Sequence, residues 1–159
     1  MRYLILGSEG QIGGHLQDYL RSKGHSVTEF DIEITSDHDL RKQNNKELYH
    51  ALKYADFVFF LAFDVGGSRY LKKYQETFEF YRNNMMIMSN TFEQLRNKKV
   101  PFIFTSTQMS KMDFSAYGRL KRLGEQCTKH LGGVIVSLWN VYGFEKDPNS
   151  EKNHVLSDF

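Results

Sequence analysis

The sequence predicts an α/β fold, a doubly wound parallel sheet in three α/β/α layers. Short apolar runs alternate along the chain with longer segments of helical period. The runs Phe57-Val58-Phe59-Phe60-Leu61-Ala62 and Val134-Ile135-Val136-Ser137-Leu138-Trp139 are nearly continuous rather than alternating, as in strands covered on both faces. The first run, Arg2-Tyr3-Leu4-Ile5-Leu6, ends in a glycine-rich turn from which a helix follows.

That turn, Gly7-Ser8-Glu9-Gly10-Gln11-Ile12-Gly13, spaces its glycines as G-x-x-G-x-x-G. Gly7 allows a tight turn, Gly10 keeps a side chain away from an approaching phosphate, and Gly13 lets the helix sit close. The helix, expected over 14–23, offers N–H groups and a partial positive charge to a pyrophosphate. Ser26–Phe30 reads as a second strand ending at Asp31, about twenty residues beyond the turn, where a carboxylate meets the ribose of a bound adenosine. No Lys or Arg occurs from Ile32 to Asp39 to hold a ribose 2′-phosphate, which favours NAD over NADP.

The stretch from Ile32 to Asp39 is short and polar and leaves little room for a third strand. A helix is expected over 45–54 and a strand over 57–62. After the break at Val65-Gly66-Gly67, a single long helix is expected over 70–97. Its apolar stripe steps through Tyr74, Phe78, Tyr81, Met85, Met88, Phe92 and Leu95, with Phe80, Met86 and Ile87 on the other side. Apolar residues on two faces predict one face on the sheet and another in a homodimer. Pro101–Phe104 is the next strand and runs into Thr105-Ser106-Thr107. A helix over 114–131 ends at Gly132-Gly133 before the last strand. His154–Phe159 reads as the opening of a further helix.

The chain has 159 residues, the size of one domain, which buries roughly 70% of its unfolded surface. A net charge of +2 with scattered cations excludes a nucleic-acid-binding surface, and Asn97-Lys98-Lys99 reads as a solvated helix end. The single cysteine, Cys127, excludes an internal disulfide, and six dispersed histidines give no metal-ligand spacing. No apolar run is long enough to span a membrane and no leader precedes the first strand. The expectation is a soluble cytoplasmic protein without metal.

Tyr117 and Lys121 stand four residues apart on one helix face. A phenol titrates near ~10, and a cation beside it favours the phenolate. Such a pair suits proton exchange with a sugar hydroxyl or carbonyl while hydride moves at a nicotinamide. The helix follows a strand ending in Thr105-Ser106-Thr107, whose hydroxyls could bond the same substrate oxygen.

Together these landmarks resemble the cofactor-binding half of the extended short-chain dehydrogenases/reductases, the nucleotide-sugar epimerase/dehydratase group. Gly7-x-x-Gly10-x-x-Gly13, Phe60-Leu61-Ala62, Asn84, Ser106-Thr107, Tyr117-x-x-x-Lys121 and Asn140-Val141-Tyr142-Gly143 follow in the family's order. The turn is similar to that of the dTDP-4-dehydrorhamnose reductase branch, and Val65-Gly66-Gly67 resembles GDP-sugar epimerase–reductases. The resemblance implies a Rossmann-like domain over 1–143 that binds NAD, with 144–159 beginning a truncated or missing substrate region.

It implies Tyr117 as general acid/base, Lys121 on the nicotinamide ribose, and Thr107 as hydroxyl partner. Gly7, Gly10, Gln11, Ile12, Gly13, Asp31, Leu61 and Ala62 would hold the cofactor, together with Tyr117 and Lys121. Asp39 and Leu40 would meet the adenine, the aspartate accepting from its exocyclic amine, and Asn140 and Ser106 would meet the substrate. Gln108 and Met109 replace the Asp-Glu pair of the 4,6-dehydratases, which leaves epimerisation or carbonyl reduction of a nucleotide sugar. Ser137 stands where many relatives carry arginine. The expected partner is a second copy, through helices 70–97 and 114–131, or a separate chain carrying the substrate half. A non-catalytic NAD-binding or assembly module is the alternative.

Overall fold

The computed structural model describes residues 1–141. Five strands, β1 (Arg2–Leu6), β2 (Ser26–Phe30), β3 (Phe57–Phe60), β4 (Phe102–Thr107) and β5 (Val134–Leu138), form one sheet in the order β2-β1-β3-β4-β5. Every pairing is parallel. Five helices connect or flank them: α1 (Gln11–Ser22), α2 (Lys46–Tyr54), α3 (Ser68–Tyr74), α4 (Phe78–Lys98) and α5 (Ala116–His130). The order reverses beside β1: the chain first steps outward to β2, then crosses to β3 and continues the other way. With right-handed crossovers, α1 lies on one face and α2, α4 and α5 lie side by side on the other. The reversal opens a crevice at the carboxyl ends of β1 and β3, where open α/β sheets bind ligands.

The core sits between β1, β3 and β4 and the α2–α4–α5 layer. Leu4, Leu6, Val58, Phe60, Phe102 and Phe104 point into it from alternate strand positions, against Leu48, Leu52, Phe80, Met88, Phe92, Leu95 and Leu120. Phe60, Phe92 and Phe104 meet edge-on or tilted, with ring centroids 5.3–5.6 Å apart. The opposite face is less evenly covered. Ile5 is fully buried, Tyr3, Phe57, Phe59 and Ile103 are half-buried, and Val134 and Val136 are exposed.

Three local expectations change. α1 starts at Gln11, inside the glycine turn, with Gly10 as its N-cap. The helix expected over 70–97 is two, because Thr77 caps a fresh start: its hydroxyl accepts from the Phe80 N–H. The expected stripe also shifts in phase. Met88, Phe92 and Leu95 are buried, but Phe78 and Met85 are exposed, and Phe80 and Asn84 take the inner positions. Asn84 displaces an apolar residue because the loop after β3 needs its amide. Its Oδ1 accepts from the Asp64 N–H (2.7 Å), and its Nδ2 donates to the Asp64 carbonyl (3.1 Å) and the Phe80 carbonyl (3.0 Å).

No third strand forms between β2 and α2; a 3-10 turn, Ser36–His38, lies there instead. The helix expected from 154 lies outside the described residues.

Asn84→Ala removes the bonds that the amide makes to the Asp64 N–H and carbonyl beneath the loop. The variant is expected to lose about 2–4 kcal/mol of stability in urea denaturation, whereas removing an exposed amide such as that of Asn97 should change it by less than ~0.5 kcal/mol.

Candidate active site

The crevice is a groove of about 1450 Å3. That exceeds the roughly 300–1,000 Å3 of a site for a single drug-sized molecule and suits an extended ligand. Every site residue named from sequence lines it: the glycine turn with Gln11 and Ile12, Asp31, Asp39, Leu40, Leu61, Ala62, Ser106, Thr107, Tyr117, Lys121 and Asn140. Tyr142 and Gly143, which complete the last motif, lie outside the described residues.

The cradle end is built by close backbone approach. Gly7 has φ +88°, and a Cβ there would sit 2.8 Å from the Ala62 nitrogen. A Cβ on Gly13 would sit 2.1 Å from the Gly7 carbonyl oxygen. Gly13 therefore seats the helix on the turn itself rather than on the strand. No side chain caps α1, so its positive end faces the groove bare. A cradle free of side chains, a bare helix start and a carboxylate at the neighbouring strand end fit a dinucleotide pyrophosphate and its adenosine ribose. Asp31 is held in place there: its carboxylate accepts from the Glu9 N–H and the Glu33 N–H, each at 3.0 Å.

The loop between β2 and α2 contains a group that the sequence alone did not bring out. Arg41 lies just beyond the window searched for cations and lines the same groove. Its guanidinium forks onto Asp39, Nε to Oδ1 at 2.8 Å and Nη2 to Oδ2 at 2.9 Å, while its N–H also donates to Oδ1 at 2.9 Å. That pairing holds the Asp39 carboxyl below its usual range and cancels the arginine's charge. Amides fix the loop. Asn90 donates to the carbonyls of Leu40 and Arg41, and Asn45 to those of Asp37 and Asp39. His38 stacks on Phe30 with centroids 4.1 Å apart.

At the other end, strand alternation sorts the three hydroxyls. Thr107 and Tyr117 both line the groove, and the Thr107 hydroxyl acts to lower the phenol's pKa while accepting from the Met109 N–H. Ser106 faces the α5 side and donates to Glu125. Its hydroxyl is thus engaged by the helix rather than presented to a substrate. Glu125 continues the Tyr117–Lys121 spacing by another turn, a signal present in the sequence but not used.

Lys121 is 3% exposed; its Nζ donates to the Thr105 carbonyl at 2.7 Å and lies 4.0 Å above the Phe63 ring. Burial drives its pKa down to about 7, against the opposing charge of Glu125. Burial also pushes the Tyr117 phenol up to about 12, partly offset by Thr107. The mutual tuning expected from the helix spacing is therefore not what this arrangement gives. The ammonium turns to a carbonyl, and desolvation moves each group toward its neutral form. At neutral pH Tyr117 is a proton donor, suited to protonating a carbonyl oxygen as it is reduced.

The lysine makes stability depend on pH. Unfolded, it titrates near 10.5; folded, near 7. Between those values the unfolded chain binds the extra proton, so stability rises with pH, by an amount on the order of a few kcal/mol. Below about pH 7 both states are charged and the full penalty is present. Lys121→Met should therefore be more stable than the parent at pH 6, with the difference shrinking steadily towards about pH 9.5, before Tyr117 contributes the opposite slope. Urea titrations across that range check it.

Comparison with curated protein sequences finds no match. Among solved structures, the chain is similar to a dTDP-4-dehydrorhamnose reductase from Clostridium acetobutylicum (22% identity, TM-score 0.72, 92% of this chain and 56% of that one). It is likewise similar to the Thermus thermophilus UDP-glucose 4-epimerase solved with NAD (22%, TM-score 0.72, 96% and 59%). A third is the Bacillus anthracis dTDP-4-dehydrorhamnose reductase solved with NADP (20%, TM-score 0.73, 92% and 56%). The chain thus spans little more than half the length of these structures, and at such identity the likeness is one of fold. The model of the NAD dependent epimerase/dehydratase family matches residues 3–159. With the parallel sheet, the glycine cradle and the crevice already in place, that match shows that the chain belongs to the NAD dependent epimerase/dehydratase family.

Proposed function

We propose that this chain comprises the cofactor-binding part of an NAD-dependent nucleotide-sugar epimerase or reductase. The observation that carries the proposal is the convergence of Tyr117, Thr107 and Lys121 on the groove that the glycine cradle opens. Bound NAD would supply the hydride chemistry. Gly7, Gly10 and the start of α1 would hold its pyrophosphate, and Asp31 its adenosine ribose. Tyr117 would exchange a proton with the sugar oxygen, Thr107 would hydrogen-bond that oxygen, and Asn140 would meet the substrate. Lys121 would exchange the Thr105 carbonyl for the nicotinamide ribose. Gln108 and Met109 lack the acid–base chemistry of water elimination, which disfavours dehydration. Exposed Met85 and Met86 on α4 and Leu123 on α5, neighbouring helices, support a homodimer through that layer. Assignment to the cytoplasm rests on composition and on the absence of a helix long and apolar enough to cross a membrane among the described residues.

The alternative is a module that binds NAD without turnover. Calorimetry with NAD tests the cradle: binding is expected for the parent and weakened by about tenfold or more in Asp31→Ala. No binding by the parent would overturn both readings. In an assembly that turns over a nucleotide sugar, Tyr117→Phe should bind NAD normally and lose at least ~100-fold in kcat. Full activity in that variant would remove Tyr117 from the acid/base role. NAD binding with no hydride exchange in any assembly would favour the module.

A further inference from the structure

Two charged side chains of α5 grip consecutive residues of β4. Lys121 donates from Nζ to the Thr105 carbonyl at 2.7 Å, and one turn further on Glu125 accepts from the Ser106 hydroxyl. Helical spacing puts the pair on one face, and the strand holds each by its head group. Glu125 is half-buried, and the buried hydroxyl of Ser106 fixes where its carboxylate sits. Around the lysine stand neutral groups. β4 brings the Thr105 carbonyl and the Phe104 ring, the loop after β3 brings the Phe63 ring, and α5 itself brings the Tyr117 phenol. From α4, Met88 packs against Gly124. Asp64 in the loop after β3 accepts from Tyr70 and Asn83, and Arg122 turns away to the Ser110 carbonyl and to Asp113. Desolvation drives the lysine towards the neutral amine, and the charge of Glu125 works against it.

We propose that Glu125, clamped by Ser106, is a positioning residue that sustains the ammonium form of Lys121. Its part in turnover rests on the NAD reading above; its effect on the lysine does not. Lys121 lines the groove and Glu125 does not, so the carboxylate acts through the lysine alone. An ammonium has three donors and no acceptor, and it can leave the Thr105 carbonyl for a ribose hydroxyl with its charge intact. The neutral amine has lost that charge and one donor. Two features produce the effect, and they can be separated. One is the charge on Glu125. The other is the Ser106 hydroxyl, which keeps the carboxylate from swinging out to water, where its field at the lysine would be screened.

The test labels the lysine side chains with carbon-13 and follows the Lys121 Cε signal of the full chain by NMR from about pH 5 to about pH 10. Loss of the signal in Lys121→Met assigns it. In the parent it should titrate at about 7. Glu125→Gln keeps an oxygen that can accept from Ser106 and removes only the charge. Its midpoint should fall by about one pH unit, a roughly tenfold loss in the ratio of ammonium to amine at neutral pH. Ser106→Ala keeps the charge and frees the carboxylate, and its midpoint should fall in the same direction by less. A mere tie between helix and strand would weaken Ser106→Ala in urea and leave both midpoints where they are. An unmoved midpoint in either variant would overturn the proposal, and so would a parent that titrates near ~10, as a solvated lysine does. No cofactor enters the measurement. Lowered midpoints in a chain to which NAD fails to bind by calorimetry would sustain the role of Glu125 and end the cofactor reading. NAD binding with unmoved midpoints would do the reverse.

Discussion

The contact on which the remainder depends is the meeting of three stretches of bare backbone: the end of β1, the loop after β3 and the first turn of α1. Gly7 lies too near the Ala62 main chain to carry a Cβ, and Gly13 too near the Gly7 carbonyl. No side chain can fill the space above them, so the helix start and its uncompensated N–H dipoles open directly onto the groove. The same contact sets where α1 leaves the sheet. The reversal of strand order beside β1 then turns this local packing into a crevice long enough for a two-part ligand.

The two ends of the crevice are stabilised by opposite strategies. At the end lined by Asp31 and Asp39 no strand forms between β2 and α2, and side-chain amides hold the chain instead. Asn45 and Asn90 each place one NH2 group on two carbonyls, and Gln94 adds a bond to the Asn45 carbonyl. Fixed carbonyls carry an ion pair, Asp39–Arg41, that stays charged because each member satisfies the other. At the other end polar groups are sunk into an aromatic surround. Lys121 lies over the rings of Phe63 and Phe104, and its charge is opposed by burial. A cation kept near its titration point in a wall of the groove responds to whatever fills that groove, since a hydroxyl or a negative charge alongside restores the ammonium.

Much of this was legible in the residues. β1, β2 and β5, the polar stretch in place of a third strand, and the helix from about residue 45 to 54 stand where apolar runs and turn signals put them. The site residues also converge, because the order of elements in a parallel sheet brings every strand end to one rim. The failures have specific causes. In α4, Phe78 and Met85 continue an apolar stripe that the fold abandons, because the loop at Asp64 demands an amide at position 84, and periodicity is blind to such a demand. Ser106 looked equivalent to its threonine neighbours until strand alternation turned it towards Glu125. Arg41 fell outside a sequence window, although in space it shares the groove with Asp31.

The sequence by itself determined the parallel α/β class, the position of the cradle and the identity of the groove's chemical groups. Those follow from local patterns: glycine spacing, apolar runs, and a tyrosine and a lysine one helical turn apart. Only the tertiary structure decided which of those groups are available. Whether a carboxylate is open or already forked by arginine, and whether an ammonium faces a phenol or a carbonyl, depends on burial and on partners far apart in the chain. Lys121 finds the Thr105 carbonyl, and Asn90 the Leu40 and Arg41 carbonyls, across dozens of residues or from a different element. Desolvation then sets their charge, and it exists only once the chain has folded.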